Sequence, residues 1–286
     1  MNSDFKIQLS EILNESITEV SPVHGGDISQ AYRIDTPNNS YFLKTNRSAN
    51  ASKMFQAEAY GLQLIHDINT IKTPKVLVRD SFQNTSFLLM EFIERKLPLK
   101  KDFENLGNQL AELHKRTSEY FGLHQDNFIG NLPQSNKPHK NWVNFYTNER
   151  LLPQLELAKQ KHLLSDNECP SAKHIEESLN PLFENIKPSL LHGDLWRGNY
   201  LISKEDTPYL IDPAVYFGHR EVDIAMTKLF GGFGDDFHKA YHRVLPQDSK
   251  TASRIDIYQL YYLLVHLNLF GSSYYGSVVS ILKKYF

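Results

Sequence analysis

The stretch LLHGDLWRGN, which begins at Leu190, constrains this chain more than any other feature. Its apolar, strand-like start runs into a His-Gly-Asp triplet that ends at Asp194, and Asn199 follows five residues later. A second apolar run ends at Asp212, thirteen residues after Asn199. The pattern predicts that these three polar side chains, which can hold a metal or a proton, lie at the ends of short strands and in tight turns.

This spacing is the H-x-D-x-x-x-x-N pattern of a kinase catalytic loop, followed by a metal-binding Asp. In that pattern Asp194 is the catalytic base, which accepts or orients the proton of a substrate hydroxyl. Asn199 and Asp212 would hold Mg²⁺, because a hard cation prefers oxygen ligands. His192 is expected to orient the loop without taking part in the chemistry. The sequence therefore predicts phosphoryl transfer from ATP, by positioning and electrostatics.

A glycine pair near the N-terminus is the candidate phosphate loop. Gly25 and Gly26 lie between two segments with strand-like character. Glycines let the backbone approach a phosphate and aim its N–H groups at it, and Ser29 could add a hydroxyl. A plain hairpin turn has the same signature, so only the surrounding sequence favours a nucleotide-binding role.

Lys44 lies in the second strand of a predicted antiparallel hairpin, and a predicted helix follows it. That helix carries Met54, Glu58, Leu62 and Ile65 on one face. A lone carboxylate on an apolar face is costly unless it is paired, and Lys44 is its natural partner. Such a pair positions the lysine on the phosphates of ATP in kinases. The alternative is two unrelated surface charges.

Two more predicted strands, PKVLVRD and SFLLMEFIE, complete a small antiparallel sheet. In a two-lobed kinase the end of the last strand is the hinge, so backbone groups at Glu91 and Ile93 are expected to bind the adenine. An ordinary edge strand has the same sequence pattern.

We therefore predict an α+β, two-lobed, protein-kinase-like fold. Residues 1–94 would form the N-terminal ATP-binding lobe, a small antiparallel sheet, and residues 95–286 a mainly helical catalytic and substrate lobe. The active site is expected between the two lobes. Residues 119–140 are rich in Gly, Asn, Pro and His, and they predict a long loop that could form a wall of the substrate site.

Three departures separate this chain from protein kinases. Gly193 replaces the Arg that commonly pairs with a phosphorylated activation loop, and Pro213 follows Asp212 where Phe-Gly would stand. No A-P-E element follows. These departures favour a small or modified substrate. Asp223, at the start of a predicted helix, is expected to accept hydrogen bonds from backbone N–H groups of the catalytic loop.

Composition excludes several other classes of function. The chain has 31 basic and 33 acidic residues, a net charge of −2, which argues against nucleic-acid binding through bulk charge. Cys169 is the single cysteine, so no intramolecular disulfide can form and a reducing cytoplasm is expected. No signal peptide is recognised, and the stretch IYQLYYLLVHLNLF is too short and too polar to span a bilayer. We expect a cytoplasmic monomer that binds neither membrane nor nucleic acid, with the last apolar stretch as a buried helix.

Several blocks together resemble the fructosamine/ketosamine kinase family, relatives of aminoglycoside phosphotransferases with a protein-kinase-like fold. They are HGDLWRGN, IDPAVYFGHREVDIAM, KLFGGF, QLYYLLVHLNLFG, MFQAEAYGL, FIGNLPQSN and NWVNFYTNERL. The resemblance covers the chain from about residue 5 to its C-terminus. HGDLW-x-GN and DPA-x-x-x-G-x-x-E-x-D are the specific blocks, although the first alone would also fit choline and aminoglycoside kinases.

The resemblance implies ATP-dependent phosphorylation of the 3-hydroxyl of a ketosamine, a sugar adduct on a lysine amine that is free or part of a protein. The 3-phosphate makes the adduct labile, so the family acts in deglycation repair. By position, the resemblance implies Asp194 as the base, Asn199 and Asp212 as metal ligands, and Lys44 with Glu58 at the phosphates.

Two further positions matter for this resemblance. Trp196 is a candidate platform for the apolar face of the sugar, with a core tryptophan as the alternative. Many relatives carry Cys in the glycine-rich loop, where this chain has Asp27, so a thiol switch at that loop is in doubt. Bacterial-looking members are expected to prefer ribulosamines or erythrulosamines to fructosamines, and the sequence does not decide between these sugars.

Two other functions remain as alternatives. A kinase for another small alcohol, such as an aminoglycoside or choline, would need acidic pockets for a cationic substrate, and residues 119–140 are not acidic enough to favour it. A catalytically dead ATP-binding protein would usually have lost the base, the metal-binding Asp or the strand Lys. All three are present here.

Overall fold

A computed structural model describes residues 2–23 and 28–286. The chain forms two compact units, and the first is discontinuous in sequence. It comprises Met1–Pro98 and Tyr200–Asp212, and the second comprises Leu99–Asn199 and Pro213–Phe286. The architecture is α+β, as predicted.

The first segment of the chain holds the predicted antiparallel sheet. Its strands run in the order β1-β2-β3-β5-β4, and every neighbouring pair is antiparallel. The predicted hairpin and the two further strands are confirmed. The elements of residues 2–98 are α1 (Ser3–Leu13), β1 (Glu19–Val23), β2 (Gln30–Asp35), β3 (Ser40–Asn46), α2 (Ala51–Ile68), β4 (Val76–Phe82) and β5 (Thr85–Glu91).

Each face of this sheet packs against a helix, because side chains alternate between the two faces along a strand. Leu89 of β5 belongs to the cluster that contains Phe5 and Leu9 of α1. Its neighbour Leu88 belongs to a second cluster, which contains Leu62 of α2. The two clusters fix the sheet between its helices and place Lys44 on the α2 side.

The middle of the chain is mainly helical, with short strand pairs. Its elements are α3 (Lys100–His114), β6 (Asn127–Ile129), β7 (Leu132–Gln134), α4 (Trp142–Tyr146), α5 (Leu152–Gln160), α6 (Ala172–Leu179) and β8 (Ser189–Leu191). A π-helical turn, Thr147–Leu151, joins α4 to α5.

The last part of the chain contributes to both units. Its elements are β9 (Tyr200–Ile202), β10 (Pro208–Leu210), β11 (Tyr216–Gly218), α7 (Glu221–Leu229), α8 (Asp235–Val244), α9 (Thr251–Phe270) and α10 (Tyr275–Tyr285). Strands β9 and β10 pair within the first unit, and β8 and β11 pair within the second. The predicted buried helix is α9, most of whose residues are buried. In the described part of the chain, no helix has the length and apolarity needed to cross a membrane.

The segment 119–140 differs from the long loop that its composition predicts. It contains the paired strands β6 and β7. Buried amide side chains attach it to the rest of the second unit. Asn127 donates through Nδ2 to the carbonyl of Val215 at 2.8 Å, and Gln134 donates to Asn127 Oδ1 at 2.7 Å. The buried amide groups thus have hydrogen-bond partners within the protein. A segment with a polar composition can therefore be ordered and partly buried.

Candidate active site

The catalytic loop begins where strand β8 ends, and Gly193 is required at that point. Its φ is +84°, and a Cβ there would lie 2.1 Å from the carbonyl oxygen of Ala214. The approach is so close because the Ala214 N–H donates to the His192 carbonyl at 2.8 Å. The glycine that distinguishes this loop from that of protein kinases is thus needed by the backbone itself.

The carboxylate of Asp223, in α7, stabilises this turn through two hydrogen bonds. Its Oδ2 accepts the N–H of His192 at 2.8 Å, and its Oδ1 accepts the N–H of Gly193 at 2.9 Å. Burial alone would raise the pKa of Asp223, but the hydrogen bond and the charge of His114 and the Gly193 N–H hold that pKa below its ordinary value. The carboxylate is therefore ionised, and the predicted role of Asp223 as an acceptor for loop N–H groups is confirmed.

Buried residues that sequence reasoning did not assign to the site complete this support. His114 Nε2 lies 3.1 Å from Asp223 Oδ2, and His114 Nδ1 lies 2.7 Å from the Tyr241 hydroxyl. Tyr262 of α9 donates to the Gly193 carbonyl at 2.8 Å. Their only sequence signal is a polar group on the buried face of a helix, which many satisfied core residues share.

Asp194 and Asn199 lie close together at the two ends of the loop. Asn199 donates through Nδ2 to the backbone carbonyl of Asp194 at 2.8 Å and to its Oδ2 at 3.2 Å. The N–H of Asp194 donates to His192 Nδ1 at 3.2 Å, in agreement with the orienting role predicted for His192. Because the amide nitrogen of Asn199 faces Asp194, its Oδ1 points the other way and is the atom that can bind a cation.

Trp196 lies within the loop and is half-buried. Its indole covers Gly198, where a Cβ would lie 2.4 Å from the ring. Arg197 is exposed, but its stem passes close to Gly232, where a Cβ would lie 2.4 Å from the Cβ of Arg197. Glycines thus allow the close contacts of both Trp196 and Arg197. A role of Trp196 as a sugar platform stays a prediction.

Lys44 forms the ion pair predicted for it in the first unit. Its Nζ lies 2.9 Å from Oε1 and 3.0 Å from Oε2 of Glu58, and both side chains are largely buried. Lys44 also donates to Oδ1 of Asp212. Asp212 belongs to the same unit, has a positive φ of 54° and is about two-fifths exposed through its side chain.

The three charges of this cluster affect one another. Burial would lower the pKa of Lys44, but Asp212 and Glu58 raise it above its ordinary value, so Lys44 is a cation. Burial raises the pKa of Glu58 and the charge of Asp212 adds to this, while Lys44 acts in the opposite direction. Two carboxylates share one ammonium, so further positive charge at Asp212 would be favourable.

The other predicted nucleotide contacts have different outcomes. Gly25 and Gly26 lie outside the described residues. Ser29 is half-buried, and its Oγ accepts a hydrogen bond from Asn46 at 3.3 Å. Glu91 ends β5, and its N–H donates to the Lys75 carbonyl at 3.0 Å. Ile93 lies two residues beyond that strand and is half-buried. Roles for these residues in binding ATP stay predictions.

The donor set predicted for a metal is one amide and one carboxylate, Asn199 and Asp212. Within residues 2–23 and 28–286, no group of three His, Cys, Asp or Glu side chains is placed to hold a metal ion. The Asn199 oxygen and the partly exposed Asp212 carboxylate are both hard oxygen donors, which is the chemistry that Mg²⁺ prefers.

Comparison with known proteins shows that this chain belongs to a known family. The model of the fructosamine kinase family matches residues 1–286. A probable ketoamine kinase of Lactiplantibacillus plantarum is 39% identical over 282 residues, which are 98% of this chain and 99% of that protein. A chloroplastic protein-ribulosamine 3-kinase of Arabidopsis thaliana is 40% identical over 283 residues, which are 97% of this chain and 85% of that protein.

Solved structures agree with this result. A Haemophilus somnus protein assigned to the fructosamine-3-kinases has a TM-score of 0.88 and 28% identity, and the match covers 98% of this chain and 96% of that one. An aminoglycoside phosphotransferase bound to ADP and hygromycin B has a TM-score of 0.66 and 16% identity, with 98% of each chain covered. At that identity the second likeness concerns the fold alone, which is kinase-like.

Proposed function

We propose that this chain, which belongs to the fructosamine kinase family, transfers the γ-phosphoryl group of ATP to the 3-hydroxyl of a ketosamine. It is a phosphotransferase with an alcohol group as acceptor. The observation that carries the proposal is a whole-chain family match in a protein that keeps both polar sets. These are Asp194 with Asn199, and Lys44 with Glu58 and Asp212.

Asp194 is the proposed base. As the substrate oxygen forms its bond to the γ-phosphorus, the bond from that phosphorus to the β-phosphate oxygen breaks and ADP leaves. The hydroxyl proton passes to the Asp194 carboxylate and then to solvent. Asn199 holds the Asp194 backbone carbonyl and Oδ2, so the loop presents this carboxylate in one orientation.

Lys44 is the proposed phosphate-binding cation. Glu58 fixes the position of its ammonium, whose charge is retained because Asp212 and Glu58 raise the pKa of Lys44. Asn199 and Asp212 would hold Mg²⁺, which when bound offsets negative charge on the β- and γ-phosphates. Ser29 and the backbone of Gly25 and Gly26 are further candidates for the phosphates, and the backbone of Glu91 and Ile93 for the adenine.

The proposed substrate is a ribulosamine on a lysine amine, free or within a protein. Support comes from the Arabidopsis relative, which is named as a protein-ribulosamine 3-kinase and is 40% identical to this chain. Trp196 offers an aromatic surface for the sugar. We further propose deglycation repair as the role, and a cytoplasmic monomer as the form, in keeping with a single cysteine.

A substrate panel tests the proposal. Ribulose-lysine, erythrulose-lysine and fructose-lysine are offered with Mg-ATP, and kanamycin and choline serve as controls for other alcohol kinases. We expect ADP release with at least one ketosamine, with ribulose-lysine turned over faster than fructose-lysine. ³¹P NMR of the product should place the phosphate on the 3-oxygen.

The Asp194→Ala and Asp212→Ala variants are assayed in parallel. Asp194→Ala should abolish turnover, because the hydroxyl loses its proton acceptor, and Asp212→Ala should abolish Mg²⁺-dependent activity. Wild-type rates in either variant would refute the assigned roles. Turnover of kanamycin or choline without turnover of any ketosamine would replace this proposal with the other alcohol-kinase class, and ATP binding without any turnover would indicate a dead kinase.

A further inference from the structure

Helices α3 and α8 approach each other closely, and Gly107 makes this possible. A Cβ at Gly107 would lie 2.3 Å from the carbonyl oxygen of Phe237 and 3.2 Å from the Cβ of Ala240. One turn after Phe237, the Tyr241 hydroxyl reaches His114 Nδ1 at 2.7 Å. Both side chains are buried, so water does not compete for this hydrogen bond.

The partners of His114 fix which ring nitrogen faces the carboxylate. Asp223 is an ionised carboxylate and can only accept, so His114 Nε2 carries a hydrogen and donates it to Oδ2. The other ring nitrogen, Nδ1, hydrogen-bonds with the Tyr241 hydroxyl. The imidazole is therefore held from both sides, and hydrogen bonds link Tyr241 through His114 to Asp223.

We propose that Tyr241 is a positioning residue for the catalytic loop, which acts by holding the His114 ring where its Nε2–H donates to Asp223. Asp223 in turn accepts the N–H groups of His192 and Gly193, the two residues before Asp194. Tyr241 thus acts on the loop through His114 and Asp223. Nothing in its sequence context, FHKAYHRV, distinguishes it from a core tyrosine.

The physical reason is that the Tyr241 hydroxyl anchors the His114 ring at the nitrogen that faces away from the carboxylate. Without that hydroxyl, the buried Nδ1 loses its hydrogen-bond partner, and the ring is free to turn its Nε2–H away from Asp223. Asp223 would then lose one of three donors in a buried site and hold the His192 and Gly193 N–H groups less firmly.

The test compares two buried tyrosines that each lose only a hydroxyl. Tyr241→Phe is expected to lower kcat about fivefold, the effect of one buried hydrogen bond, and to leave KM for ATP unchanged. Tyr146→Phe is the matched control, because Tyr146 is also fully buried and donates to the carbonyl of Ile257 at 3.0 Å, away from the loop. Its kcat should match that of the wild type.

A second background separates positioning from general packing. His114→Phe removes both ring nitrogens, so Tyr241 can no longer act on Asp223 through this residue. We expect His114→Phe to lower kcat, and Tyr241→Phe to have no further effect on kcat in that background. An equal loss in both backgrounds would overturn the proposal, as would an equal loss in Tyr146→Phe.

The kinetic part of this test depends on the proposed ketosamine kinase activity, so a readout without substrate accompanies it. Amide hydrogen exchange at His192 and Gly193 should be faster in Tyr241→Phe than in the wild type or in Tyr146→Phe. Unchanged exchange at both amides would overturn the positioning role. Faster exchange in a protein that turns over no ketosamine would leave Tyr241 as proposed and reject the assigned substrate.

Discussion

At the scale of single residues, the sequence predicts that Lys44 pairs with Glu58, but it does not predict the second carboxylate at Lys44. Glu58 lies on the apolar face of a helix, and burial of an unpaired carboxylate there would be costly. The cost of burial alone predicts a basic partner, and in the structure Lys44 Nζ lies 2.9 Å from Glu58 Oε1. The same cost does not point to any particular residue far away in the chain. The second carboxylate, Asp212, cannot be predicted in this way, because residues 168 positions apart in the chain share no local pattern.

We expect Glu58→Gln to lower kcat/KM for ATP by about ten- to a hundredfold, which corresponds to about 1.4–2.8 kcal/mol. The amide keeps the shape of the side chain and can still accept a hydrogen bond from Lys44, but it removes the opposite charge that fixes the ammonium. Steady-state kinetics with ATP varied at saturating acceptor would measure the effect.

Glu112→Gln is the matched control for that change, because Glu112 also pairs with a lysine, Lys115, but both side chains are about half exposed. An exposed pair of this kind contributes little, so its loss should leave both kinetics and stability unchanged. Equal effects of the two glutamine variants would show that Glu58 has no special role in positioning Lys44.

At the scale of secondary-structure elements, glycines set the distances that the site needs. Gly107 lets α3 meet α8, and Gly193 lets the catalytic loop meet the segment at Ala214. The sequence shows Gly193 to be unusual, because it stands within a recognisable motif. It gives no such sign for Gly107, because a glycine within a helix can equally be a position of no consequence.

Gly107 and Gly276 both lie within helices, but they differ in the space around them. Gly107→Ala should lower the free energy of unfolding by about 1–3 kcal/mol, because the added methyl meets the Phe237 carbonyl and forces α8 away. Gly276→Ala in α10 meets nothing within 4 Å and should be neutral or stabilise by up to about 1 kcal/mol through helix propensity. Urea unfolding followed by circular dichroism would measure both.

The same pair of variants has a second use. Because Gly107→Ala shifts α8 relative to His114, it should also lengthen the contact of Tyr241 with that histidine. A Gly107→Ala protein as stable as the Gly276→Ala protein would show that the close approach of α3 and α8 is readily relaxed.

At the scale of the whole molecule, the first unit is not one continuous stretch of chain. Residues 200–212 belong to it, through hydrogen bonds of 2.9 Å from Leu210 N to the Lys72 carbonyl and from Lys96 N to the Ile202 carbonyl. The sequence predicts a single lobe boundary after residue 94, at the loop that follows the last predicted strand. The composition of the chain does not indicate that residues 200–212, about a hundred residues later, belong to the first unit.

A fragment experiment tests this organisation. Residues 1–98 alone should be markedly less stable than the same residues joined to 200–212 by a flexible Gly-Ser linker, because the joined fragment restores those hydrogen bonds and buries Ile202 and Leu210. The midpoint of urea unfolding would measure the difference. The control joins a scrambled 200–212 segment through the same linker, and equal midpoints for all three fragments would contradict the expectation.

Local patterns in the chain suffice to predict the reaction class, the family resemblance and the antiparallel sheet with its flanking helices. These follow from spacing within one motif, hydrophobic periodicity and turn residues, all of which act over a few positions of the chain. The packed chain alone shows which distant groups support the motif: Asp212 at Lys44, Tyr262 at Gly193, and Tyr241 through His114 at Asp223. Buried polar groups must find partners wherever the packed chain supplies them, and no local pattern in the sequence specifies where that is.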